Sequence, residues 1–254
     1  MRHTSAQAPS VVDRVLDVLG AFTPERSALS LSELSRRTRL PLSTTHRIVG
    51  ELARRGALER QEDGRYRVGL WLWEIASLSP RGVGLRENAM PFLEDLYEAT
   101  HENVQLAVLD APDVVYVELI SGRNAVNVIS RVGGRLAAHA TGVGLVLLAN
   151  APVDVQEHVL SQPLKAYTPK TVTSPQQLRR VLADVRRDGF VISDRQIEMV
   201  SLSVAAPVYG AGDDVVAAIS IVVPADGTDP RTLVPAVRAA ARGISRSLGA
   251  YQSG

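Results

Sequence analysis

The chain has 254 residues, 28 Lys+Arg against 27 Asp+Glu, five His, no Cys and a formal net charge of +1. That length buries a core without covalent staples, as one large domain or two smaller ones, and the missing Cys excludes a disulfide framework, a thiolate zinc site and a Cys nucleophile. With 45% hydrophobic residues the sequence is that of a globular protein; it has no apolar run of about 18 residues for a membrane span, and Met1–Ser10 lacks a secretory apolar stretch. A cytoplasmic protein with a disordered tail over residues 1–9 is expected.

Ser10 is placed to cap a helix in which Val11, Val15, Leu16, Val18, Leu19 and Phe22 recur at helical spacing. Ser30-Leu31-Ser32-Glu33 has the form of a capping box and opens a short second helix ending near Thr38. Arg39-Leu40-Pro41 connects tightly to a third helix over residues 42–55, with Gly56 placed to terminate it. Thr45, Ile48, Val49 and Leu52 form its inward stripe. Its outer face is Ser43, Thr44, His46, Arg47, Gly50, Glu51 and Arg54. Two short runs, 57–60 and 65–68, flank Glu62-Asp63-Gly64, an Asp-Gly hairpin signal that sends Arg65 and Arg67 to one side. Residues 10–70 therefore read as a winged helix-turn-helix.

That segment suits double-stranded DNA. A short helix joined by a tight turn to a longer one lets the second enter the major groove. Hydroxyls at Ser43, Thr44 and Thr45, near the helix start, suit phosphate oxygens, as does the positive end of the helix dipole. His46 and Arg47 are long enough to reach base edges, and Arg pairs best with guanine. Arg65 and Arg67 on the wing suit the backbone or minor groove. The charge agrees. Residues 1–73 hold 12 Arg and 8 acids, a net of +4, while the remainder is −3. The competing reading is a small helical subdomain whose Arg residues only keep it soluble.

Leu70, Trp71, Leu72, Trp73 and Ile75 begin a linker helix assigned to residues 71–84, and Pro and Gly interrupt the pattern at Ser79-Pro80-Arg81-Gly82-Val83-Gly84. Trp71 or Trp73 is expected at a contact between two heads or between head and linker; the alternative is intradomain core.

The body, residues 85–252, begins with an amphipathic helix over 85–100, with Leu85, Ala89, Phe92, Leu93, Leu96 and Tyr97 inward. Strands over 104–109 and 114–120 flank Asp110-Ala111-Pro112-Asp113, and a third strand is expected over Val126–Val132. A small-residue helix over 141–149 and another over 153–160 follow. Ser174-Pro175-Gln176-Gln177 opens a helix that ends at Gly189. Strands over 191–193, 202–208 and 215–223 and a closing helix over 230–248 complete an α+β domain with a mainly antiparallel sheet.

No catalytic constellation is present. The sequence has no Gly-x-Ser-x-Gly elbow, His-Glu-x-x-His or phosphate-binding loop, and the other His residues show no ligand spacing to His139. No enzyme, metal or cofactor is expected. A ligand pocket fits better. The turn from strand to helix over Ala138, His139, Ala140, Thr141 and Gly142 offers free backbone N–H groups to a carboxylate. Ser193 and Asp194 end one strand, Ser203 lies in the next and Ser220 in the last. The rival reading is a metabolite-binding protein or enzyme carrying an accessory basic domain.

Several motifs, in order, resemble the IclR family of bacterial transcriptional regulators. In the head they are Leu31-Ser32-Glu33-Leu34-Ser35, Leu40-Pro41-Leu42-Ser43-Thr44-Thr45-His46-Arg47 and Gly64-Arg65-Tyr66-Arg67-Val68-Gly69. In the body they are residues 131–144, Val204-Ala205-Ala206-Pro207-Val208 and Ala217-Ala218-Ile219-Ser220-Ile221. The likeness runs from about Ser10 to Leu248. It implies a GAF-like effector-binding domain, with Gly142, Val143, Ser193 or Asp194, Ser203 and Ser220 matching positions that line the effector cavity. Departures are Ala137, where the family often has Pro, and Leu145, where it often has Lys or Arg. The expected function is a regulator whose operator binding changes when a small carboxylic or aromatic acid occupies the body. Two recognition helices on one operator call for a homodimer, with a dimer of dimers as the larger alternative.

Overall fold

A computed structural model of the chain describes residues 9–122, 125–227 and 229–250. The expected disordered tail lies, apart from Pro9, outside the described residues. The chain divides into two compact units at Ser79/Pro80.

The first unit is built from α1 (Val11–Gly20), β1 (Ala28–Leu29), α2 (Leu31–Thr38), α3 (Leu42–Arg54), β2 (Leu58–Arg60), β3 (Tyr66–Val68) and α4 (Leu70–Ala76). Capping boxes at Ser10 and Ser30 start α1 and α2; in each, the serine hydroxyl accepts the N–H three residues on and the acid there accepts the serine N–H. Arg39, in the left-handed region, ends α2 and turns the chain into α3. Val18, Leu29, Leu34, Ile48, Val49 and Leu58 form the core. β1 adds a third strand to the wing, in the order β1-β3-β2, which the two-residue length of β1 hid from the sequence pattern. Val15, Val18 and Leu19 of α1, with Phe22 just after it, pack inward while Val11, Val12 and Leu16 stay exposed. On α4, Leu70, Trp71, Trp73 and Ile75 are exposed as well, so neither Trp is core.

The second unit is a layered α+β fold around one six-stranded antiparallel sheet. Its elements are a π-turn at Pro80–Gly84, α5 (Leu85–Thr100), β4 (Asn103–Asp110), β5 (Asp113–Ile120), β6 (Arg135–Ala137), α6 (Gly142–Ala149), α7 (Val153–Ser161), α8 (Pro175–Asp188), β7 (Val191–Asp194), β8 (Ser201–Tyr209), β9 (Val215–Pro224) and α9 (Val234–Ser247). The sheet order is β6-β5-β4-β9-β8-β7. The third strand expected over Val126–Val132 is a correction. Among the described residues that stretch is irregular, and the strand pairing with β5 is β6, nine residues later at its start. The apolar alternation there was real, but Asn103 and Gln105 reach into the segment instead of a backbone ladder: Asn103 Nδ2 donates to the Val126 carbonyl and Gln105 Nε2 to Ser130 Oγ, both at 2.7 Å.

Side-chain alternation divides the sheet into two faces. Val104, Leu106, Val204, Ala206, Ile219 and Ile221 pack on α5 and α9. Ala107, Ala205 and Ala218 pack on α6 and its neighbours. Helix α6 is buried along all eight residues. Its Gly-Val-Gly-Leu-Val-Leu-Leu-Ala sequence has no polar face to offer water, which is the composition of a helix enclosed by other elements.

Candidate DNA-reading face and effector cavity

Helix α3 exposes one face. Ser43, His46 and Arg47 are exposed, Thr44 is partly so, and Ile48 and Val49 are buried beneath them. Thr45 is a correction to the expected face. It is completely buried, and its Oγ1 donates to the Pro41 carbonyl at 3.1 Å, so it braces the start of the helix from inside. The buried stripe, not the hydroxyl chemistry, decides its role. Pro41 precedes α3 without a side-chain cap, so the first-turn N–H groups remain available at the surface.

The cations of this unit differ in how far they are neutralised. Arg54 and Arg55 both bond to Glu51, and those hydrogen bonds, with Arg54 first, hold the Glu51 carboxyl down at about 2. Arg67 sits opposite Glu59 in the wing ladder and pairs with it at 2.7 Å, holding that carboxyl below its usual range. Arg65 has only a loose approach of 3.7 Å to Asp63. Arg47 makes no ion pair among the described residues.

In the second unit a cavity of about 50 Å³ opens on the α6 face of the sheet. Its floor comes from the same alternation: Gln105, Tyr116, Ser201, Ser203, Ser220 and Val222 all occupy the α6-facing register. Gln105 lies directly across from Ser220, whose hydroxyl donates to Gln105 Oε1 at 3.4 Å. The start of α6 supplies Thr141, Gly142 and Val143. Thr141 Oγ1 accepts the Gly144 N–H at 3.1 Å, leaving the Gly142 and Val143 N–H groups of the first turn without an intrahelical partner. A Cβ on Gly142 would run into Ser203 Oγ, so glycine is what lets the strand hydroxyl approach the helix end.

Tyr116 is 3% exposed, its hydroxyl has no protein partner among the described residues, and burial pushes its pKa up. It stays a neutral donor. Ser193 is also buried, with no hydrogen bond to its hydroxyl among the described residues. No Lys or Arg lines the cavity.

Of the expected effector residues, the structure brings Thr141, Gly142, Val143, Ser193, Ser203 and Ser220 together. It does not bring in Ala138, His139 or Asp194. Ala138 is core. The buried His139 meets the Lys165 carbonyl through Nε2 at 3.0 Å, and Asp194 pairs with Arg195 at 2.9 Å. Sequence reasoning missed Gln105, Tyr116, Ser130, Gln196 and Glu198. For the first two a signal existed: a polar group in an apolar alternating strand, on the face that should be buried. No group of three or more His, Asp and Glu with metal-holding geometry occurs among the described residues.

The family model described as the IclR helix-turn-helix domain matches residues 11–62, and that described as the bacterial transcriptional regulator IclR C-terminal domain matches residues 79–246. The chain belongs to the IclR family of bacterial transcriptional regulators. It is similar to the HTH-type transcriptional regulator XynR of Escherichia coli, 29% identical over 94% of this chain and 96% of the relative. Among solved structures it is similar to an IclR homolog from Microbacterium hydrocarbonoxydans complexed with 4-hydroxybenzoate. The identity is 42%, the TM-score 0.89, and the match covers 94% of this chain and 99% of that one. The Thermotoga maritima IclR is 26% identical with a TM-score of 0.76, over 94% and 98% of the two chains. The protein is therefore a transcriptional regulator with a DNA-binding head and an effector domain; the family consists of regulators rather than enzymes. No helix among the described residues is long and apolar enough to cross a membrane.

Proposed function

We propose that this IclR-family chain binds its operator as a homodimer and that a small aromatic or other carboxylic acid in the α6 cavity alters that binding. The cavity chemistry carries the reading. Two free N–H groups at a helix start suit a carboxylate, and the helix dipole favours negative charge there. Tyr116 and Ser193 line the cavity with hydroxyls that bond no protein group among the described residues, and these suit further polar groups of a ligand. A relative that holds 4-hydroxybenzoate supports an acid of that class. On the head, Ser43, Thr44, His46 and Arg47 of α3 and Arg65 and Arg67 of the wing are assigned to DNA. The exposed apolar faces of α1 and α4, with Val11, Val12, Leu16, Leu70, Trp73 and Ile75, are assigned to the homodimer contact.

An effector acts only through unequal affinity for two states of the protein. The deciding experiment measures binding to the protein's own upstream DNA with and without 4-hydroxybenzoate and related acids. A sequence-specific shift that changes with one acid is expected. Operator binding indifferent to every acid would sink the effector half, and binding indifferent to sequence would sink the operator half.

A further inference from the structure

The cavity holds about 50 Å³, whereas a site that admits a benzene-sized molecule needs roughly 150 Å³. The cavity is partly open to solvent, and for an aromatic acid to be fully enclosed in it a wall must give. Most walls are fixed. Strands β4, β8 and β9 are hydrogen-bonded on both sides, and α6 is wholly enclosed. Residues 128–130 also line the cavity, in an irregular stretch tied to β4 through Gln105 Nε2 and Ser130 Oγ. The other irregular wall is the connection from β7 to β8. It belongs to the edge of the sheet, runs through residues 195–200, and gives Gln196, Ile197 and Glu198 to the cavity wall.

A small set of side chains holds this connection. Arg195 opens it in the left-handed region, at φ 53°, a conformation uncommon for a residue with a Cβ. Its guanidinium reaches across the loop to the Met199 carbonyl at 3.2 Å and outward to the Ala225 carbonyl at 3.3 Å. It also pairs with Asp194 at 2.9 Å and Asp226 at 2.6 Å. From the other side, Thr168 Oγ1 donates to the Arg195 carbonyl and Thr171 Oγ1 to the Gln196 carbonyl, both at 2.6 Å. Thr171 Oγ1 in turn accepts the N–H groups of Tyr167 and Thr168. One buried hydroxyl thus joins the 162–173 connection to the cavity wall. Gln196 Oε1 also accepts the Val172 N–H at 3.2 Å and the Val200 carbonyl the Ala225 N–H at 2.9 Å, while Met199 and Val200 are exposed.

We propose that the 196–200 segment is the door of the effector cavity and that Arg195, with Thr168 and Thr171, is its latch. Arg195 is a positioning residue; it does not line the cavity. The left-handed residue is the hinge, since hinges are loop positions that absorb a φ/ψ change. The latch sets how fast an acid enters and leaves more than how tightly it is held, because door opening precedes both steps. This rests on the effector reading above.

The test uses the full chain. In the ligand-free protein, Arg195→Ala should speed amide hydrogen exchange at position 195 and at Ser201, whose N–H groups bond across the loop to the Ser201 and Glu198 carbonyls, by at least about tenfold and leave the rest of β8 and β9 unchanged, since exchange reports local opening. Thr171→Val, which keeps the shape and loses the hydroxyl, should act likewise, and Thr171→Ser should restore slow exchange. Unchanged exchange in Arg195→Ala overturns the latch. With 4-hydroxybenzoate as probe, Arg195→Ala should raise association and dissociation rates together, with a smaller change in Kd. A change in Kd with unchanged association rate overturns the door. If the unaltered protein binds no carboxylic acid, the effector reading fails, and the latch stands or falls on the exchange result alone.

Discussion

The starts of α3 and α6 present the same chemistry in opposite surroundings. Each offers backbone N–H groups that the helix cannot use. At α3 the first turn opens to solvent beside Ser43 and Arg47. At α6 it opens into a small, partly open cavity between helix and sheet that no cationic side chain lines. Water and salt screen the first, so its attraction for phosphate depends on accompanying cations and on ionic strength. The second is flanked by buried helix and sheet, so water and salt screen it less and a few correctly placed donors count for more. One kind of helix end thus serves a long polyanion at the surface and a single small anion inside.

The most drastic way to break this comparison is to fill the inner helix end. Gly142→Val places a branched side chain where Ser203 Oγ now sits. The expected outcome is loss of any acid response, read by calorimetry, with operator affinity in the absence of acid unchanged. A normal response would remove α6 from the site. Next comes Arg47→Ala on the outer face. A bidentate Arg–base contact discriminates by about 1–3 kcal/mol, so specific affinity should fall by about 10- to 100-fold while nonspecific binding changes little. Equal loss on all sequences would make Arg47 a phosphate contact.

Arg65→Ala should do less. It removes one phosphate contact, so binding weakens evenly across sequences and the slope of log affinity against log salt falls by about 0.9. The α6 cavity supplies the control, because acid binding there should show little dependence on salt. A steep salt dependence of acid binding would mean that a cation from outside the cavity completes the site.

The regularity of each element explains how much was legible beforehand. Serine caps, the Asp-Gly turn and the helical stripe announced α1 to α3 and the wing, since local signals determine them. The α+β class followed from the order of strands and helices. The strand expected over Val126–Val132 failed because its apolar alternation packs without a ladder, its contacts coming from Asn103 and Gln105 about 25 residues earlier in the chain. By sequence Thr45 fits both the inward stripe and a phosphate contact, and burial allows only the first. At the cavity, the glycine-rich start of α6 was visible, whereas Gln196 and Glu198 arrive through a loop whose path is set by Arg195, Thr168 and Thr171. Nothing local in the sequence records such long-range ties.

The smallest expected effect separates a site hydroxyl from a structural one. Tyr116 is a buried residue that lines the cavity, and its hydroxyl bonds no protein group among the described residues. The hydroxyl makes no protein hydrogen bond that Phe would lose, so Tyr116→Phe should leave the melting temperature of the ligand-free protein about unchanged. The same change removes a donor from the cavity, and a net hydrogen bond of about 0.5–1.5 kcal/mol predicts acid affinity about 2- to 12-fold weaker. Unchanged stability with weaker affinity is the signature of a group held ready for a ligand. A lowered melting temperature with unaltered affinity would instead assign the hydroxyl to the core, and the carboxylate end at Gly142 and Val143 would then carry acid recognition without it. Because burial keeps Tyr116 neutral well beyond pH 8, its contribution should show no step between pH 6 and pH 8 by order of magnitude of its ordinary pKa of about 10.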